Sequence, residues 1–289
     1  MEKVIKNLTL DCERALYNLT DALVENVTFD GPSDGESALK ESRNCKITNS
    51  RFCLRYPLWH ATSFSVKDSY FKKDARAPIW YVKDASFFDT LIESVKAVRE
   101  CDNVSFKKCT IDSEEFGWKS NNIKLLNSSV NASYLFLDSS NIVLDNVKMS
   151  GKYSFQYNEN VEITNSILDT KDAFWHATNV YVKDSYIKGA YLAWYSKNVT
   201  LENCKIESTQ PFCYCENLKL INCELINTDL AFEYSTVDVD VKGDIVSVKN
   251  PLSGVIICDS IGEIILKDSI YESHVKIIER SKENEKMVS

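Results

Sequence analysis

The chain has 289 residues, a formal net charge of −8 and lysines scattered along its length. That balance leaves no basic stripe to follow a phosphate backbone, so nucleic acid is excluded as an expected partner. There is no long uncharged apolar run, and the opening Met1-Glu-Lys-Val-Ile-Lys-Asn7 has no apolar leader, so the expected setting is cytoplasmic and away from membranes.

Residues 1–43 read as an N-terminal cap with one irregular coil around Ala22-Leu-Val-Glu-Asn-Val-Thr-Phe29, followed by a polar loop over residues 30–37. From Asn44 a unit of nineteen residues repeats. Its leading asparagine recurs at Asn103, Asn122, Asn141, Asn160, Asn179, Asn198 and Asn217 without insertion or deletion. A fixed period of this size with period-two alternation inside it predicts a β-solenoid, since no unit has room for an amphipathic helix. Regular coils are expected over residues 44–242. Extra residues after Gly243, a last rung near Ile264-Ile-Leu-Lys-Asp-Ser-Ile-Tyr271 and a frayed charged tail are expected over 243–289. The prediction is one all-β solenoid domain over residues 1–289, with about eleven to thirteen coils.

Each coil should hold three short strands. In Val199-Thr-Leu-Glu202, Val199 and Leu201 face inward while Thr200 and Glu202 face water. Asn203 then turns the corner, in a column running Asn49, Asp68, Asp89, Lys108, Asn127, Asn146, Asn165, Asp184, Asn203, Asn222. Such residues tolerate a left-handed backbone and can hydrogen-bond to their copies one rung away, about 4.8 Å off. Among the ten cysteines, Cys109, Cys204 and Cys223 share a column with Ser50, Ser69, Ser128, Ser166 and Ser185, which reads as packed thiols, not disulfides. With three histidines in the chain, neither a metal site nor a cofactor is expected.

The third strand carries the candidate chemistry. Its rungs include Tyr56-Pro-Leu-Trp-His60, Glu115-Phe-Gly-Trp-Lys119, Tyr153-Ser-Phe-Gln-Tyr157, Asp172-Ala-Phe-Trp-His176, Tyr191-Leu-Ala-Trp-Tyr195 and Asp229-Leu-Ala-Phe-Glu233. If the strand is flat, its middle residue shares the outer face of the first and fifth. The surface then holds Phe136, Phe155 and Phe174 flanked by Tyr134, Tyr153, Tyr157, Asp172, His176, Tyr191 and Tyr195, and the column Trp59, Trp80, Trp118, Trp175, Trp194 points into the core. If it bends at its third residue, the tryptophans line a groove and Arg99 lies between Trp80 and Trp118 as a cation–π sandwich. Charge placement favours the flat version.

An aromatic face of this extent suits a saccharide ligand, or a second copy of the chain in a homo-oligomer. Glu100, Lys119 and Asp138 form one charged column, with Glu100 and Asp138 about 9–10 Å apart over two rungs, near the upper separation of an inverting carboxylate pair. Arg99 or Lys119 would be the base in a lyase. An alternating-sign ladder of ion pairs is the competing explanation for that column.

The tracts Glu13-Arg-Ala-Leu-Tyr-Asn18, Gly31-Pro-Ser-Asp-Gly-Glu-Ser-Ala-Leu-Lys40, Leu54-Arg-Tyr-Pro-Leu-Trp-His60, Arg76-Ala-Pro-Ile-Trp-Tyr81, Ser150-Gly-Lys-Tyr-Ser-Phe-Gln-Tyr157, Asp169-Thr-Lys-Asp-Ala-Phe-Trp-His176 and Val248-Lys-Asn-Pro-Leu-Ser-Gly254 resemble the bacterial family DUF3737 across essentially the whole chain. The resemblance implies a pectin-lyase-like, right-handed parallel β-helix. It brings no established activity and no catalytic residue. The expected function is carbohydrate recognition with processing of an oligosaccharide or uronide as an extension, and a protein-interaction scaffold is the alternative.

Overall fold

A computed structural model describes residues 3–31, 36–282 and 284–287. The fold is an all-β parallel solenoid with a period of about nineteen residues, and the described residues make about 14 turns. The middle of the expected polar loop, residues 32–35, lies outside the described residues. Two compact units are present, residues 1–148 and 149–289.

In the first unit the rungs stack in parallel register. Lys3–Leu10 lies under Thr20–Phe29 with Lys3 opposite Ala22 and Leu10 opposite Phe29. This is a full rung in nineteen-residue register, where a cap was expected. Four extra residues separate Ala22 from its partner Cys45, and two separate Thr62 from Lys83. Beyond that the register is unbroken: Ala85, Val104, Ile123 and Ile142 stand in one column. Inward positions are apolar because each strand has one wet face, and Val104, Phe106, Ile123 and Leu125 are all buried. Large side chains stack along the core, with Phe29 on Phe52, Phe52 on Phe71, and Phe87 on Phe106, at centroid distances of 4.4–5.0 Å.

The second unit repeats the pattern: Val161, Val180, Val199, Leu218 and Val237 form one column. Coils then vary in length, with Val237 opposite Gly254 and Ser253 opposite His274. The end of the chain was expected to be a charged tail. Asn284–Met287 pairs antiparallel with His274–Glu279, covering an edge that would otherwise offer free N–H and C=O groups.

Two small devices make the corners. Each corner residue of the predicted column has a left-handed φ, from 45° at Asp89 to 55° at Lys108. The amides form ladders: Asn146 Nδ2 donates to Asn127 Oδ1 (2.8 Å), and Asn222 Nδ2 to Asn203 Oδ1 (2.7 Å). One position further on, the Ser/Cys column is buried. Ser69 Oγ donates to the Lys67 carbonyl and accepts from the Ser50 amide, so one small group satisfies two backbone atoms. Cys109, Cys204 and Cys223 occupy the same place. All ten cysteines are free thiols, and only Cys12 is exposed. Burial pushes the Cys101 thiol up to about 12 and Cys109 up to about 11, which makes them poor nucleophiles.

Candidate functional site

The third side of the coil is a five-residue turn for most rungs, not a flat strand. In Tyr191-Leu-Ala-Trp-Tyr195, positions one, three and five have φ of 60°, 58° and 59°. Tyr153, Phe155 and Tyr157 repeat this, as do Asp172, Phe174 and His176, and Gln210, Phe212 and Tyr214. A left-handed residue at position three turns its side chain inward beside position two. Phe136, Phe155 and Phe174 are therefore in the core, at 0%, 0% and 2% exposure, and cannot line a binding surface. Their expected outward placement fails because strand alternation holds only for extended residues. Phe155 and Phe174 stack on each other at 4.9 Å.

Position four lies half-exposed outside. Trp59 stacks on Trp80, and Trp175 on Trp194, at 5.3 and 5.4 Å with planes 4° apart. Each indole N–H donates to the position-one carbonyl of the next rung: Trp59 to Ala77, Trp80 to Lys96, Trp118 to Tyr134, Trp175 to Tyr191 and Trp194 to Gln210, at 2.7–3.1 Å. The tryptophans thus fasten successive rungs together. Arg99 replaces a tryptophan in this column, with its guanidinium 5.1 Å from the Trp80 ring centroid and 5.2 Å from Trp118.

Position five forms an outer ladder. In the second unit Tyr157, His176, Tyr195 and Tyr214 stack face to face at 4.5–5.0 Å. Tyr157 is 57% exposed and Tyr195 41%. Because the faces cover one another, solvent meets the edges, with their hydroxyl and imidazole groups. In the first unit His60 stacks on Tyr81, and Glu100, Lys119 and Asp138 continue the column, all exposed. No ion pair within 4.0 Å joins these three among the described residues; the neighbouring pair is Lys96 with Glu115, at 3.4 Å. Tyr134, at position one, packs edge-on against Trp118 at 5.9 Å.

Position one of the second unit holds Tyr153, Asp172 and Tyr191. Lys152 Nζ lies over the Tyr153 ring and Lys171 Nζ over the Tyr191 ring, at 5.3 and 5.1 Å. Asp172 is 5% exposed. Its backbone is satisfied, with its amide donating to the Ala190 carbonyl and its carbonyl accepting from Gln156 Nε2. Its carboxylate has no hydrogen-bond or ion-pair partner among the described residues, yet is not sealed from the surface. Burial raises the Asp172 carboxyl above the ordinary range, against the pull of Lys171 and Lys152.

The first coils also carry this turn, which the repeat pattern does not reveal at the sequence level. Arg14, Leu16 and Asn18, then Ser37, Leu39 and Glu41, have left-handed φ at positions one, three and five. Near residue 230 one extra residue slips in, so Leu230, Phe232 and Tyr234 take those positions. The expected Asp229-to-Glu233 frame is therefore off by one.

Three grooves lie away from the aromatic columns. One of about 740 Å³ is lined in part by Asp238, Asp240, Asp259 and Arg280, and the others, of about 450 and 370 Å³, by Ser65, Ser86 and Ser105 and by Glu93, Asp112 and Glu114. Arg280 is engaged with Asp240, Asp259 and the Val241 carbonyl. Among the described residues no group of three or more His, Cys, Asp or Glu could hold a metal ion.

Several solved structures resemble the chain at low similarity. HetL, a pentapeptide repeat protein involved in heterocyst differentiation regulation from the cyanobacterium Nostoc sp., is 12% identical over 76% of this chain and 91% of its own, with a TM-score of 0.31. The A-module of the Azotobacter vinelandii mannuronan C-5 epimerase AlgE4 is 13% identical over 83% and 81%, with a TM-score of 0.32. PfbA, a surface adhesin of Streptococcus pneumoniae, is 9% identical over 96% and 83%, with a TM-score of 0.36. At these values their activities say nothing about this chain. No curated protein matches the sequence. The family described as "Protein of unknown function (DUF3737)" matches residues 3–279, and the chain belongs to that family.

Proposed function

We propose that the outer face of the second unit, from Tyr153 to Tyr214, recognises a saccharide, with no bond made or broken. The observation that carries this reading is Asp172, a residue only 5% exposed whose carboxylate has no donor among the described residues and still reaches the surface. Its oxygens must be met from outside, and a pair of sugar hydroxyls would do so. Tyr157, His176 and Tyr195 present further polar edges one rung apart, about 4.8 Å, so a linear array of hydroxyls would meet a partner on each rung. Phe155, Phe174 and Phe136 play no direct part, since they are core residues.

Processing is left out because Glu100, Lys119 and Asp138 are exposed side chains, open to the solvent screening that opposes the shifted acidity an acid–base pair needs. Intrinsic fluorescence titrated with a panel of neutral oligosaccharides tests the reading. At least one should give a saturable change that Asp172→Asn weakens tenfold or more. Silence across the panel rejects it. The closed stacking of the ladder favours a second reading, a protein interface built from aromatic edges. Light scattering would then show a dimer that Tyr157→Ala, Tyr195→Ala breaks into monomers.

A further inference from the structure

We infer that Arg99 is the anchor of a separate carboxylate-binding site in the first unit, suited to the acid group of a uronide. The guanidinium stands where other rungs place an indole, over the rings of the tryptophans on both sides of it. An indole at this place would donate to the position-one carbonyl of the next rung, here Glu115. That carbonyl already accepts from Ser113 Oγ at 2.8 Å and from the Ala97 amide at 3.1 Å. Arg99 Nε is buried and has no hydrogen-bond partner. The neighbouring carboxylate of Glu115 is taken by Lys96, and Arg99 forms no ion pair with any described residue. The cation lies over the rings of both Trp80 and Trp118. Arg99 is part-exposed, and only its Nε is both buried and unpartnered, so a ligand reaches it from the side left open between the two indoles. That approach matches the two-point geometry of a carboxylate.

A cation enclosed on two sides and lacking an internal counter-ion is a fixed charge awaiting an anion. Glu100, next in the chain, and Lys119, one rung on, bracket it with opposite signs, so the site is selective in position without being strongly attractive overall. The carboxylate specificity stands on Arg99 alone. The choice of a uronide among carboxylates rests on the saccharide reading above.

The test uses the intact chain, calorimetry and tryptophan fluorescence, with oligogalacturonide, its methyl ester, acetate and a neutral oligosaccharide as probes. The oligogalacturonide should bind saturably, at least tenfold more tightly than its ester or acetate, and more weakly as salt is raised. Arg99→Met, which keeps an unbranched stem between the indoles, should abolish that preference while far-UV circular dichroism stays unchanged. Arg99→Lys, which keeps the charge without the fork, should retain only part of it. An ester that binds as well as the acid, or an Arg99→Met variant that binds normally, overturns the site. Acetate binding as tightly as the oligomer overturns the uronide assignment. Binding of the neutral oligosaccharide should survive Arg99→Met, so the saccharide face and the Arg99 site fail or succeed independently.

Discussion

Lys108 occupies a corner that Asn or Asp fills on the neighbouring coils, with φ of 55° between Asp89 and Asn127. A left-handed backbone costs an unbranched residue about 1–2 kcal/mol, and lysine adds no ladder bond in return; its ammonium rests over the Phe88 ring instead. Lys108→Asn should therefore stabilise the protein by about 1 kcal/mol, read as a higher urea midpoint. An unchanged or lower midpoint would mean that the Phe88 contact outweighs the ladder. Asp172 gives the second residue-level expectation. Its folded-state pKa lies above the ordinary aspartate value of 3.8, so the native state binds the proton more tightly than the unfolded chain. The stability tied to that proton is present below about 3.8 and lost as pH rises through the folded value. Asp172→Asn should thus gain on the wild type as pH climbs from about 3.5 to 7. Parallel stability curves for the two proteins would reject the raised pKa.

At the scale of one element, the third side shows what the sequence could and could not reveal. The corner asparagines and the Ser/Cys column are legible because a residue type is tied to one backbone task, and the structure keeps both. The parity of Phe155 and Trp175 was not legible. Period-two reasoning assumes extended backbone, and the alternating left-handed turn breaks that assumption at every odd position. What fixes the tryptophans outside is a bond between rungs: each donates its N–H to a carbonyl sixteen residues later, or eighteen for Trp59. That bond is also testable. Trp194→Phe keeps most of the ring but leaves the Gln210 carbonyl without its 2.7 Å donor, and should cost about 1–2 kcal/mol. Denaturant unfolding with no change in slope would measure it; a loss under a few tenths would show that water replaces the indole.

For the whole molecule, the sequence pattern located the coils from Asn44 onward and missed the first rung. Asn7 and Asn26 are nineteen apart and bonded at 2.8 Å, but two short segments followed by a longer connection do not stand out as a period. Stacking predicts a gradient of opening within the first unit. Lys3–Leu10 has a strand neighbour on one side, whereas Asp102–Lys107 is paired on both. Amides of the former should exchange with solvent well before those of the latter, and equal protection would show that the unit opens as one body. Register gives a sharper test. Removing residues 179–197 from the second unit should leave a folded protein, because Asn198 then stands where Asn179 stood and each inward residue stays inward. Removing one residue fewer would turn the following strands inside out and should abolish folding.

The same geometry bears on inheritance. A coil closes its hydrogen bonds with whichever copy lies beside it, through the same asparagine and serine positions each time. Duplication or loss of a coding stretch equal to one coil would therefore pass selection for folding far more often than an indel of any other size. Homologous chains should differ in length chiefly by multiples of that stretch, with odd-sized changes confined to places such as residues 30–43 and 243–260 where this chain already tolerates them.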